Sequence, residues 1–309
     1  MLSSDVVRLV SGAALLAFAA VSDWRTREVR DRVWVWMGTL GLILFGADLW
    51  LGGVDPVIGL VLVPTAVLLY DPLFGQEFRT EDGGWRFQPA PIAAFGIAAA
   101  ATAYAIYDLQ GDPAALGTFY MYLTAPVMML VFRGMYELHL LKGGADAKAM
   151  IAIAALVPTY PEMPSLPLVS LDPRLQDALR VLFPFSLLVL MNAALFFVVA
   201  PIAFLAYNAR RGNLEFPKAI LGYKVPLDAV PKHAWFMDQI EEGGHVVVYF
   251  PKKRQDREGI AKALRDAGFT EAWVTPQLPF IVAITASFVF SFLVGNVLMG
   301  LLQLVLPAP

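Results

Sequence analysis

The chain has 309 residues, 58% of them hydrophobic and 16% charged, with a mean hydropathy of +0.62. Soluble domains carry about a quarter charged residues, so disorder is excluded, a soluble enzyme of ordinary composition is disfavoured and a polytopic membrane protein is expected. The net charge of −3 leaves no nucleic-acid footprint, and the lack of cysteine excludes a disulfide framework, a thiolate metal site and a cysteine nucleophile.

A hydrocarbon core about 30 Å thick takes roughly 20 apolar residues as helix. Such stretches fall at 5–22, 33–52, 54–71, 90–109, 118–141, 145–160, 180–207 and 277–306. The first reads as a span rather than a cleavable leader. Its one early basic residue is Arg8, and no small-x-small site precedes the charged segment that follows. The sixth is short, stopped by Pro158 and Pro161.

Loop charges test this count. Residues 23–32 hold Arg25, Arg27, Arg30 and Arg32, whereas the next connection, 51–54, has no basic residue. Arg79 and Arg86 lie in 72–89, none in 110–117, and Lys142 and Lys148 bracket the fifth connection. The segment 208–276 carries 11 of the 23 Lys and Arg. The alternation follows the positive-inside rule, with 161–179 the one imperfect outside loop through Arg174. It puts 23–32, 72–89, 142–148 and 208–276 in the cytoplasm and both termini outside.

The segment 208–276 reads as a soluble module. His245–Phe250 reads as a buried strand, Arg257–Ala267 as a helix with Ile260, Ala263 and Leu264 inward, and Phe269–Val274 as a second strand. The expected organisation is therefore an all-α membrane protein of about eight transmembrane helices, with a small α+β cytoplasmic insertion before the last. Its domains are 1–207, 208–276 and 277–309.

Ionisable groups in or beside spans are functional candidates by default. Asp48, Asp71 and Asp108 sit near helix ends, where interface water satisfies them, and Arg133 and Glu137 are spaced to neutralise each other on one helix face. His139, His233 and His245 include no pair at the i, i+4 spacing of helical zinc sites, so no metal and no cofactor are expected. Asp23 closes the first span and Asp146 opens the sixth, so both belong to the cytoplasmic layer. Asp146 follows Gly143-Gly144-Ala145, small residues that let backbone approach a carboxylate. Two neighbouring carboxylates share one proton; one then takes a proton from water while the other protonates the substrate.

Gly143-Gly144-Ala145-Asp146-Ala147-Lys148 resembles the GxGD signature of membrane aspartyl peptidases. Asp23-Trp-Arg-Thr-Arg-Glu-Val-Arg-Asp31 resembles the first-aspartate motif of prepilin and preflagellin peptidases, especially the archaeal branch. Val274–Ile281, leading into the last span, is similar to that branch too. Two departures stand out: Ala145 replaces the second glycine of the signature, and Arg30 replaces a proline often seen in the first motif.

The resemblance implies a membrane aspartic endopeptidase with Asp23 and Asp146 as the catalytic pair. Its substrates would be pilin or archaellin precursors, whose short basic leader precedes a hydrophobic helix lying in membrane lipid. Lys148 reads as a topology anchor or as an aid to an aspartate or the substrate. Glu28, Asp31, Glu77, Glu81 and Asp82 offer acidic surface to a basic leader, and the Lys252-Lys253-Arg254 run offers contact with anionic lipid. The lack of cysteine and of a nucleotide-type glycine loop implies cleavage without N-methylation. The competing readings are a transporter or channel using the same carboxylates, a signal-peptide-peptidase-like protease, and a structural assembly component.

Overall fold

The structure is a computed structural model that describes residues 3–74, 89–141, 143–241, 244–251 and 255–305. Glu77, Glu81, Asp82 and the Lys252–Arg254 run lie outside the described residues. Two compact units emerge, one of residues 1–194 and 280–309 and one of residues 195–279.

The first unit is helical. Helix α1 (Ser4–Thr26) starts where the Ser3 hydroxyl accepts from the Val6 amide and stops at Arg27, whose backbone is left-handed at φ 59°. Helix α2 (Asp31–Leu51) begins after a short connection, and Asp31 in its first turn suits the positive end of the helix dipole. A 3-10 segment (Pro56–Val61) leads into α3 (Leu62–Phe74). Next come α4 (Pro89–Leu109), α5 (Pro113–Glu137) and α6 (Gly144–Leu156), then α7 (Pro173–Leu182) and α8 (Phe185–Phe197). The chain returns to this unit with α12 (Phe280–Leu293) and α13 (Val297–Val305).

Helix α6 forms the centre. Ala147 and every residue from Ala149 to Val157 are buried, and α6 packs against α2 and α5. Helices α2 and α6 run parallel at close range. A Cβ on Gly41 would stand 2.6 Å from both the backbone nitrogen and the Cα of Leu156. At the same end Arg8, 2% exposed, donates to the Leu156 carbonyl and pairs with Asp48. Helix α1 lies along α12, where the Thr285 hydroxyl donates to the Leu16 carbonyl at 3.1 Å.

Among the described residues, five helices are long and apolar enough to cross a membrane: α1, α2, α4, α5 and the run Phe185–Arg210. The count is six if α12 and α13, which meet at 50°, make one broken span. The two remaining segments expected to cross fall short for distinct reasons. Residues 54–71 begin as a tight 3-10 turn, and α6 has 13 residues, about 20 Å of helix against a core of about 30 Å.

The second unit contains α9 (Val199–Arg210), α10 (Lys218–Leu221) and a three-stranded antiparallel sheet. Strand β5 (Glu271–Pro276) is central, flanked by β1 (Tyr223–Pro226) and β2 (Ala234–Phe236), with Tyr223 opposite Val274 and Trp235 opposite Thr275. A hairpin of β3 (Asp238–Glu241) and β4 (Gly244–Val247) completes the strands. Helix α11 (Arg257–Asp266) is capped by the Asp256 carboxylate, which accepts from the Gly259 amide at 3.0 Å. It turns Leu264 and Ala261 inward; Ala263, expected inward, is only partly covered.

Candidate active site

Asp23 sits in the last turn of α1, half-buried, and its carbonyl accepts from the Arg27 amide at 3.0 Å. Its carboxyl faces the Arg27 guanidinium and the backbone amide of Ile281, near the start of α12. The loop after it is fastened through Glu28, whose carbonyl accepts from the Ser22 hydroxyl at 2.8 Å and the Thr26 hydroxyl at 3.1 Å. Glu28 itself is exposed.

Asp146 lies in the first turn of α6, and Gly143 is that helix's N-cap. The carboxylate folds back over Gly143, where an added Cβ would meet Oδ2 at 2.1 Å. A Cβ on Gly144 would find ordinary contact, 3.6 Å from the Tyr136 hydroxyl. Ala145 continues the helix and packs against the core cluster. Its backbone is not among the positive-φ positions, so the replacement of the signature's second glycine carries no conformational strain here.

Helix direction brings these groups to one end of the bundle. Asp23 ends α1, Asp31 opens α2, and Asp146 and Lys148 open α6, which runs parallel to α2. Contact is direct between Lys148 and Asp31: the Lys148 ammonium donates to Asp31 Oδ1 at 2.7 Å. Asp31 thus already has a cationic partner on this chain.

Elsewhere the ion pairs differ from the expectation of local neutralisation. Arg133 donates to Asp71 on α3 instead of pairing with Glu137, and Asp71 is 8% exposed as a side chain. Asp48 holds Arg8 at the opposite end of the bundle from Asp23. Arg27 beside Asp23 was missed in the sequence. The available signal was its place four residues after Asp23, where a helix-ending residue turns back over the last turn.

Known proteins give the following relationships. The family described as Archaeal Peptidase A24 C-terminus Type II matches residues 215–297, which cover most of the sheet-containing unit and all of α12 but neither Asp23 nor Asp146. A preflagellin peptidase of Methanocaldococcus jannaschii is 23% identical over 310 residues, covering 96% of this chain and 97% of that protein. A preflagellin peptidase of Methanococcus maripaludis is 30% identical over 160 residues, covering 50% of this chain and 64% of that protein. An uncharacterized protein of Methanocaldococcus jannaschii is 23% identical over 281 residues, covering 88% of this chain and 86% of its own length. The chain is thus similar to archaeal A24 peptidases over its C-terminal part and to one preflagellin peptidase over nearly its full length.

Proposed function

We propose that this chain is a membrane aspartyl endopeptidase that removes the short basic leader, a class III signal peptide, from archaellin or type IV pilin-like precursors. Asp23 and Asp146 form its catalytic pair. The names of the relatives supply the peptidase class and the archaellin-precursor substrate. The observation that best supports the pair is the meeting of opposite helix termini. The last turn of α1 and the first turn of α6 belong to the same end of the bundle.

The chemistry follows from two carboxyls that hold one proton between them. The ionised carboxylate takes a proton from water as the water oxygen attacks the scissile carbonyl carbon. The protonated carboxyl donates to the carbonyl oxygen. As the tetrahedral carbon collapses and the C–N bond breaks, the carboxyl that took the water proton gives it to the leaving amine. The other carboxylate takes a proton from a diol hydroxyl, so the pair again holds one proton. No cofactor and no methyl transfer enter.

In this reading the chain makes eight passes, the two shortest being 54–71 and α6, and loop charge turns the Asp23 end to the cytoplasm. Residues 1–207 and 277–309 form the lipid-embedded part, with 208–276 as a cytoplasmic module. Glu28 stays available to a basic leader.

The test is leader removal from an archaellin precursor by detergent-purified wild type, Asp23→Asn and Asp146→Asn. Wild type should release the leader, and both variants should lose turnover while melting at the wild-type temperature. Full activity in either variant overturns the pair.

A further inference from the structure

We propose that the Lys148–Asp31 ion pair is a strut that sets the separation of the two catalytic carboxylates, making both residues positioning groups; this rests on the peptidase reading above. The pair joins the two motif segments. Asp31 ends the stretch that begins with Asp23, and Lys148 ends the stretch that contains Asp146. Their contact at 2.7 Å links residues 117 apart in sequence.

Each end of the strut is fixed to its own aspartate. On one side the Arg27 amide bonds the Asp23 carbonyl, and the Ser22 and Thr26 hydroxyls bond the Glu28 carbonyl, so the loop carries α1's last turn to Asp31 with little freedom. On the other side Lys148 stands two residues beyond Asp146 on a continuous helix. Two residues turn the helix by about 200°, so Lys148 and Asp146 leave α6 on different faces and Lys148 reaches Asp31 on α2. It acts by holding α6, not by touching the reacting groups.

The far end of α6 is already clamped, with Gly41 seated on the Leu156 backbone and Arg8 on the Leu156 carbonyl. The near end is where α6 can swing, and Lys148–Asp31 restrains it there. The two side chains are 25% and 51% exposed, and a pair that open to solvent adds little to stability. Small displacements of a catalytic group, by contrast, cost about 100-fold in rate per ångström. The strut therefore shows in turnover before it shows in folding.

The test compares wild type, Lys148→Met, Asp31→Asn and the exchanged double variant K148D/D31K on an archaellin precursor. Each single variant should lose roughly 10- to 100-fold in kcat, with KM and melting temperature close to wild type. The exchanged pair should recover most of the lost kcat. Unchanged kcat in the single variants, or a loss that the exchange does not rescue, overturns the strut. So does a rise in KM confined to Asp31→Asn, which would make Asp31 a leader-binding group. A wild type inactive in the same assay would strike the peptidase reading itself, whereas an active wild type with unimpaired single variants strikes the strut alone.

Discussion

The Asp146 carboxylate lies over Gly143 so closely that a methyl group on that glycine would stand 2.1 Å from Oδ2. The glycine leaves room for a side chain that folds back toward the start of its own helix.

Gly143→Ala should therefore displace the carboxylate without unfolding the chain, because the atom that must move is the far end of a flexible side chain. We expect turnover to fall about 100-fold, the cost of misplacing a catalytic group by about 1 Å, at an unchanged melting temperature in detergent. Gly144→Ala should keep most activity, since its methyl meets only Tyr136 at 3.6 Å. Ala145→Gly should restore nothing, because Ala145 is regular helix. Equal activity of Gly143→Ala and Gly144→Ala would remove this account of the signature.

Arg133 and Asp71 make the second case. Asp71 is 8% exposed as a side chain and Arg133 29%, so removing the cation leaves a largely buried carboxylate without its partner. Breaking a buried pair from one side costs about 3–5 kcal/mol, and Arg133→Met should fall near the lower end because Arg133 is partly open. The double variant R133M/D71N should regain much of that loss. Thermal unfolding in detergent measures both, and a single variant as stable as wild type would reduce the pair to a surface contact.

The sequence reached the end of the bundle where the candidate residues gather and missed most of what holds it. That Asp23, Asp31, Asp146 and Lys148 lie at one end was legible because loop charge and motif spacing are one-dimensional signals that survive without coordinates. The partner of Arg133 was not, since helical periodicity offers Glu137 four residues on and says nothing of Asp71, 62 residues away. The burial of α6 against α2 and α5 was not legible, because an apolar run looks alike whether lipid or protein surrounds it. Arg8 read only as the one early basic residue of the first span, although it is buried against Asp48 and the end of α6. The sheet-containing unit was legible in its helix and in β5, whereas the buried strand expected over His245–Phe250 is the short β4, none of whose residues is buried. Strand β5's central place between β1 and β2 depends on pairing that no local pattern encodes.

Glu215 supplies a pH dependence outside the membrane-spanning helices. Lys218, bonded to it, and Lys224 at 3.7 Å hold its carboxyl below the ordinary value of 4.5. A carboxyl depressed on folding adds stability that is present above its unfolded value and is lost as pH falls through the folded one. With the side chain 49% exposed the contribution is small. Glu215→Gln should melt slightly below wild type at pH 7. The gap should close as pH drops below about 4.5. A gap that widens in acid would have the wrong sign and would refute the assignment.

The break between α12 and α13 tests whether the 50° bend there is set by the backbone. Gly295 has φ +91°, and a Cβ there would stand 2.8 Å from the Pro167 Cβ. Backbone groups freed by the break find partners: the Leu293 carbonyl accepts from the Leu168 amide at 2.9 Å, and the Val294 carbonyl accepts from the Val169 amide at 3.0 Å. Asn192, 1% exposed, donates to the Ser291 hydroxyl at 2.9 Å and to the Gly295 carbonyl at 3.4 Å, while Asn296 caps α13 by accepting from the Met299 amide at 3.1 Å. Interrupted helices survive at membrane depth only when such partners exist. Gly295→Ala adds left-handed strain of about 1–2 kcal/mol and crowding of about 1–3 kcal/mol against Pro167. We expect a lower melting temperature in detergent from Gly295→Ala. Residual turnover below the melt should stay near wild type, because Asp23 lies by the opposite, N-terminal end of α12. A variant that melts like wild type would mean the bend tolerates a side chain; one that folds normally but loses turnover would mean α12 transmits the break to Asp23.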